Sequence, residues 1–177
     1  QYPFGYGLSF TTFEYSNLTI KKGGSVATEF DANDTITVSV DVKNTGDLKG
    51  KEIVQLYVAQ PEAPAELKRP IKRLMGFDKI ELEPGETKTV TLEVKIPDLA
   101  FYNEEQDRFI VDQGVYEIQV GTNSRDIALT GRINVSGTMK IVTAVLTIKA
   151  HQEGDETAGV EERLIFDKGK KVIPKPT

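Results

Sequence analysis

The residue types that transfer protons or bind metals are few and scattered in this 177-residue chain. Two adjacent carboxylate pairs, Glu104-Glu105 and Glu161-Glu162, are the nearest approach to an acid/base couple. Adjacent residues on a strand point to opposite faces, so neither pair is placed to act on one substrate. We interpret both pairs as solvated loop charges, because glutamate is rarely buried.

The remaining candidates for chemistry are equally weak. His151 is the only histidine, and without partners it cannot form a catalytic triad or a multi-histidine metal site, so we expect an ordinary surface residue. The run DAND at residues 31–34 lacks the glycine and the distal glutamate of a calcium loop, which favours a plain turn. The absence of cysteine excludes disulfides and thiolate chemistry. We therefore expect no catalytic residue, no cofactor and no metal.

Composition narrows the classes of partner. The net charge of −5 and the pI of about 5.1 argue against a nucleic-acid surface, which needs a basic face. No apolar run approaches the roughly 20 residues that span a bilayer, so no membrane partner is expected. No signal peptide is visible, but a fragment would lack one in any case, so both a cytoplasmic and an exported location stay open.

The elements that would position any site are predicted to be strands. Apolar residues recur with period two in several segments, which turn residues separate. Residues 83–86 (EPGE) predict a type II turn with glycine at the positive-φ position. Residues 97–102 indicate one helical turn or a corner whose aromatic rings plug one end of the fold. The alternating inward sets are Ile36, Val38, Val40 and Val42; Val54, Leu56 and Val58; Val90, Leu92, Val94 and Ile96; Tyr116, Ile118 and Val120; and Ile127, Leu129, Ile133 and Val135.

Short strands at near-regular spacing predict an all-β fold, an antiparallel β-sandwich of the immunoglobulin or fibronectin type III kind. We expect three parts: a docking segment at residues 1–13, the sandwich at 14–136 and an extension at 137–177. In the extension, alternation over residues 142–148 predicts a strand, and residues 164–173 predict a hairpin around a glycine-containing turn. These additional C-terminal strands could extend the sandwich or cover an edge.

The first segment carries four aromatic rings in eleven residues without a clean period: Phe4, Tyr6, Phe10 and Phe13. Such rings need a place to be buried, and the glycines between them let the backbone lie close to a neighbour. The segment looks like part of a longer protein, made to dock on a domain that precedes it. We assign Phe10 and Phe13 to the sandwich itself, and Phe4 and Tyr6 to the interdomain contact.

Seven blocks, in order, resemble the C-terminal fibronectin type III-like domain of glycoside hydrolase family 3, the β-glucosidase and β-xylosidase group. Together they cover about residues 2–135, and the tail after Ser136 matches nothing in this pattern. The blocks are PFGYGLSFT at 3–11, VKNTG at 42–46, GKEIVQLYV at 50–58, RPIKRLMGFDK at 69–79, LEPGET at 82–87, DLAFY at 98–102 and GVYEIQVG at 114–121.

The resemblance implies that the catalytic carboxylates lie elsewhere. In that family the aspartate nucleophile belongs to an N-terminal barrel, and the acid/base commonly comes from the α/β domain after it. The chain also has no tryptophan, which removes the family's usual Ser-Asp-Trp nucleophile motif. The expected function is a non-catalytic accessory domain that stabilises the catalytic domains of its own parent chain and helps to shape the active-site rim.

Two residues of the fourth block, Arg69 and Arg73, are interpreted either as solvated cations or as ion-pair partners of the catalytic domain, with Phe77 assigned to the core. The candidate interdomain contacts are thus Phe4, Tyr6, Arg69 and Arg73. Direct carbohydrate binding is not expected, because tryptophan is absent and the strand patterns of Tyr57 and Tyr116 suggest packing. An independent carbohydrate-binding module and a protein-interaction sandwich are the alternatives.

Overall fold

A computed structural model describes residues 2–63, 69–104, 107–137, 145–149 and 161–165, and the described part is almost entirely β-structure. The strands are β1 (Phe13–Lys22), β2 (Ser25–Val26), β3 (Glu29–Asp31), β4 (Thr35–Asn44), β5 (Gly50–Ala59), β6 (Arg73–Leu82), β7 (Thr87–Lys95), β8 (Phe101–Asn103), β9 (Arg108–Ile110), β10 (Gly114–Gly121), β11 (Ile127–Ser136), β12 (Val145–Lys149) and β13 (Glu161–Ile165). A 3-10 helix, Ile96–Leu99, follows β7.

Two sheets form the sandwich. The first has four strands in the order β2-β1-β4-β7, and the second has five in the order β3-β11-β10-β5-β6. All pairs are antiparallel except β11 with β3, which is parallel. The predicted all-β sandwich of the fibronectin type III kind is confirmed, with this one parallel pair as an addition.

The core lies between the sheets and follows the alternation in the sequence. In β4 every second residue from Ile36 to Val42 is at most 2% exposed, and the side chains between them are only partly buried. The inward residues of β5, β7, β10 and β11 belong to the same cluster, for example Leu56, Val94, Ile118 and Val135. Burying each of these side chains contributes about 1.5–3 kcal/mol, so the facing apolar stripes hold the sheets together.

The turns also follow the predicted chemistry. Gly85 has a φ of +76°, and the amide of Glu86 donates to the carbonyl of Glu83 at 3.0 Å, as a type II turn at residues 83–86 requires. The helical turn expected near residue 97 is the 3-10 helix, where Leu99 is buried. Tyr102 does not plug the end of the sandwich, because it is 47% exposed on the β8–β9 hairpin.

In the extension, β12 and β13 pair antiparallel, with Val145 opposite Ile165 and Lys149 opposite Glu161. Of the strand expected over 142–148, residues 145–148 lie in β12, and residues 142–144 lie outside the described residues. Most of the hairpin expected at 164–173 lies outside the described residues, as does His151. Within the described ranges, no helix is both long enough and apolar enough to cross a membrane.

Candidate docking surface

The strap, defined here as residues 2–12, lies across the outer face of the five-stranded sheet before the chain enters β1. At its start, the amide of Ser124 in the β10–β11 turn donates to the carbonyl of Phe4 at 2.9 Å. The strap also closes a turn of its own, in which the amide of Tyr6 donates to the carbonyl of Pro3 at 3.2 Å. The rings of Tyr2 and Tyr6 stack with centroids 4.7 Å apart. The backbone of this segment is therefore fixed on the sandwich.

The far end of the strap is fastened to the turn after β4. Thr11 Oγ1 donates to Asn44 Oδ1 at 2.7 Å, and the amide of Thr45 donates to the carbonyl of Thr12 at 2.8 Å. Asn44 is fully buried, and its Nδ2 donates to the carbonyls of Leu48 and Leu82. One amide side chain thus joins the strap to the β4–β5 turn and to the end of β6.

Five apolar side chains of the strap are exposed. The expectation that Phe10 packs on the sandwich is wrong, because it precedes β1 and finds no core position. Phe13, the first residue of β1, does pack against the core as expected. The exposed fractions are 79% for Tyr2, 68% for Phe4, 42% for Tyr6, 89% for Leu8 and 96% for Phe10.

Three apolar side chains on or beside the five-stranded sheet are also exposed. The sequence predicts Phe77 in the core, but it is 66% exposed. It lies on edge strand β6 opposite Gln55 of β5, so both side chains are on the outward face of the sheet. Ile53 of β5 and Ile71, which precedes β6, are also exposed. Single exposed apolar residues are ordinary, so the strap, with five exposed apolar side chains in eleven residues, is the stronger candidate for an interaction surface.

Arg69 and Arg73 are not solvated cations. The Arg69 guanidinium makes a two-point ion pair with Asp112, with Nε to Oδ2 at 2.7 Å and Nη2 to Oδ1 at 3.1 Å, and both side chains are nearly buried. Arg73 Nη2 donates to the carbonyl of Asp98. Both guanidinium groups lie over the ring of Phe101, 4.3 Å and 5.0 Å from its centroid. These cations therefore already have partners within the chain.

This cluster closes one end of the sandwich around Tyr116. The Tyr116 hydroxyl donates to the carbonyl of Asp112 at 2.6 Å. Burial, and to a smaller degree the charge of Asp112, raises the pKa of Tyr116, so its hydroxyl stays protonated as a donor. Tyr57 and Tyr116 are 3% and 2% exposed, which confirms the expectation that both rings are packed.

The structure describes only some of the weak catalytic candidates. Glu104 is exposed, Glu105 lies outside the described residues, and Glu161 and Glu162 belong to strand β13 rather than to the loop we expected. The DAND run is a turn, in which the amide of Asp31 donates to Asp34 Oδ2 at 2.6 Å. Among the residues that the structure describes, no three histidine, cysteine or carboxylate side chains gather where they could hold a metal.

A second exposed aromatic feature was not predicted from the sequence. Tyr102 and Phe109 face each other across the β8–β9 hairpin, with ring centroids 5.5 Å apart in an edge-to-face arrangement. The Tyr102 hydroxyl donates a hydrogen bond to Asp107. The only signal in the sequence is the alternation within β8 and β9. Each strand has three residues, which is too short for the period to be recognised.

Comparison with known proteins agrees with this geometry. Residues 52–124 match the sequence model of the fibronectin type III-like domain. The chain is 44% identical over 140 residues to thermostable β-glucosidase B of Acetivibrio thermocellus, and 41% identical over 135 residues to an exo-α-(1→6)-L-arabinopyranosidase of Bifidobacterium breve. These matches cover 79% and 76% of this chain, but only 18% and 16% of those proteins.

A solved structure gives the same result. The crystal structure of the Bifidobacterium adolescentis GH3 β-glucosidase superposes with a TM-score of 0.67 at 34% identity, over 89% of this chain and 20% of that one. The chain therefore contains a fibronectin type III-like domain. It is the form of this domain that belongs to the β-glucosidases of glycoside hydrolase family 3, and the chain spans less than a fifth of the length of the two relatives named above.

Proposed function

We propose that this chain is the non-catalytic accessory domain of a glycoside hydrolase like the β-glucosidases, and that it stabilises the catalytic domains of the same parent chain. In this proposal residues 1–13 dock, residues 14–136 form the sandwich and residues 137–177 extend it. The observation that carries the proposal is the strap, whose backbone is hydrogen-bonded to the sandwich while its rings are exposed. A segment that is ordered but uncovered supports the idea of a partner surface.

The chemistry of the surface indicates what it would contact. The strap has no charged residue, and the hollow beside Pro3 is lined by Ile71, Lys72, Ser124 and Arg125. An uncharged aromatic strip with two cations at one end fits a partner surface that is apolar and has carboxylates opposite the cations. Such a contact would also set the domain against the catalytic part and shape one rim of its active site.

The four candidate contact residues differ in what they offer. Phe4 and Tyr6 have exposed rings, and each ring that a partner covers would contribute about 1.5–3 kcal/mol. Arg69 and Arg73 are occupied by Asp112, Asp98 and Phe101, so in the proposed contact they would act through their position rather than through free charge. The sugar that the parent cleaves is left open, because relatives of similar identity are named for different glycosides.

The test uses the full parent enzyme. We expect the double substitution F4A/Y6A to lower the melting temperature of the parent and its activity on an aryl glucoside, while changing the unfolding of this chain alone much less. Val26→Ala is the matched control, since Val26 is 73% exposed on β2 of the other sheet. Equal melting temperatures and activities for the double variant and the control would refute the docking role.

A second candidate function is direct sugar binding by this domain, and the exposed Tyr102–Phe109 pair favours it. Aromatic faces stack on sugar rings, but these two planes meet at 67° and offer no common platform. Affinity electrophoresis of the chain in soluble β-glucan gels decides between the candidates. Retardation that disappears in Tyr102→Ala would support sugar binding. Unchanged mobility would contradict sugar binding, and docking would then be the remaining candidate function.

A further inference from the structure

The path of the strap depends on a buried amide, Gln55, that has no place in the core. In β5 the neighbours Val54 and Leu56 belong to the cluster between the sheets, so Gln55 faces outward. It is nevertheless only 3% exposed, because the strap covers it. Burying an amide costs free energy unless its hydrogen bonds are satisfied. The burial of Gln55 on the outer face of the sheet therefore has to be compensated by hydrogen bonds.

Each end of that amide is used. Gln55 Nε2 donates to the carbonyl of Thr122 at 2.5 Å and to the carbonyl of Gly5 at 3.3 Å, while Oε1 accepts from the Tyr57 hydroxyl at 2.6 Å. These bonds tie the strap to the β10–β11 turn and to the middle of β5. The three buried polar side chains of the described residues, Asn44, Gln55 and Asn123, all lie where the strap is fastened or in the turn that fastens it.

We propose that Gln55 and Asn44 are positioning residues that clamp the strap at two points and thereby present Phe4 and Tyr6 to the partner in a fixed geometry. The docking part of this inference rests on the proposed function, whereas the clamp itself does not. A contact that is already ordered loses less conformational entropy on association than a flexible tail would. The domain thus carries a preformed docking element.

Gly5 allows the clamp to be tested by a substitution in the strap itself. Its φ is +79°, and a Cβ at this position would overlap the amide group of Gln55. That amide cannot swing away cheaply, because Thr122 and Tyr57 hold it. Gly5→Ala should therefore displace the strap. Gly7→Ala is the matched control, since a Cβ at Gly7 would meet nothing within 4 Å.

The readout is hydrogen exchange of two sandwich amides that donate to the strap, Ser124 to Phe4 and Thr45 to Thr12. In the 177-residue chain we expect both amides to be protected. Gly5→Ala should speed exchange at Ser124 at least tenfold and leave the amides of β4 and β10 unchanged, and Gly7→Ala should change neither. Asn44→Ala should release Thr45 in the same way.

Two results would overturn the clamp: fast exchange at Ser124 in the unsubstituted chain, or equal protection in Gly5→Ala and Gly7→Ala. The role of the clamp in docking is read separately, in the parent enzyme. There Gly5→Ala should lower the melting temperature as F4A/Y6A does, and Gly7→Ala should not. If F4A/Y6A is without effect on the parent while Ser124 still loses protection in Gly5→Ala, the proposed function fails and the clamp stands.

Discussion

The Tyr15 hydroxyl donates a 2.7 Å hydrogen bond to Glu52 Oε1, and this bond joins the two sheets of the sandwich. Tyr15 belongs to β1 and Glu52 to β5, near the start of both strands. Burial raises the pKa of the Tyr15 phenol, with the charge of Glu52 as the next contribution, so the hydroxyl remains a donor. A half-buried carboxylate is thus held between the sheets by one hydroxyl.

The first prediction concerns pH. Burial raises the pKa of Glu52, and the Tyr15 bond offsets only part of that increase. Folding therefore favours the protonated carboxyl, and its contribution to stability is fully present below the unfolded pKa and is lost as pH rises through the folded pKa. We expect the melting temperature of the unsubstituted chain to fall relative to Glu52→Gln as pH increases above 4.5, the ordinary glutamate value.

A matched control has the opposite sign. Hydrogen bonds from Lys49 and Lys51 lower the pKa of exposed Glu81, so its contribution is present above the unfolded pKa and is lost as pH falls. The melting temperature of the unsubstituted chain should therefore fall relative to Glu81→Gln as the pH is lowered. Melting curves at several pH values measure this difference, which should change on the acid side only. Parallel curves for the Glu52→Gln variant and the unsubstituted chain would contradict the prediction.

The second prediction concerns the ion pair at the end of the sandwich. Asp112→Asn removes the charge that balances Arg69, whose side chain is only 11% exposed, and a buried charge without its partner costs about 3–5 kcal/mol. Urea denaturation should show a loss of that size. Arg132→Gln breaks the more exposed pair with Glu117 and should cost about 0–1 kcal/mol. Similar costs for the two variants would show that the Arg69 pair is effectively solvated.

The third prediction concerns the turn that holds the start of the strap. A Cβ at Gly121 would overlap the carbonyl oxygen of Asp126 and lie 2.8 Å from Ile127 Cα, and neither backbone atom can move without changing the turn. We expect Gly121→Ala to lower the free energy of unfolding by about 1–3 kcal/mol, as overpacking does. At Gly76 the nearest atom, Leu92 Cδ2, is 3.8 Å away, so Gly76→Ala should be tolerated in the same assay.

The sequence predicted those parts of the fold in which one face is buried and the other is not. Alternation in β4 and β10 is regular because both strands lie inside their sheets. Alternation did not predict β1, because the period is interrupted there. Asn17 has a φ of +54°, and the pairing with β4 shifts between Ser16 and Thr19. Alternation also did not predict β6, an edge strand whose register with β5 shifts between Leu56 and Tyr57.

The candidate site was predicted less well, because its geometry depends on residues far apart in the chain. The aromatic segment was recognisable from composition, and Phe4 and Tyr6 are indeed exposed. Gln55, however, reads as an ordinary outward residue until the strap covers it. Arg69 likewise reads as a surface cation, since its partner Asp112 is 43 residues away. Long-range pairs of this kind leave no local pattern in one sequence.

The fourth prediction tests whether the catalytic part of the parent covers the outward face of the five-stranded sheet at Phe77. Phe77 is 66% exposed, so Phe77→Thr, which keeps a strand-forming residue, should change the stability of this chain by no more than about 0.5 kcal/mol. If the catalytic part of the parent covers this face, the same substitution should cost the parent about 1.5–3 kcal/mol, the value of burying one such ring. Urea or thermal unfolding of both proteins measures the difference.

Val26→Thr provides the reference for that comparison, because Val26 is similarly exposed, at 73%, but lies on β2 of the four-stranded sheet. Its cost should be small in the chain and in the parent alike, since the proposed contact involves only the other sheet. A Phe77 cost that is the same in both proteins would restrict docking to the strap. A cost that appears only in the parent would extend the interface across β5 and β6, because Phe77 reaches solvent from the edge strand beside Gln55.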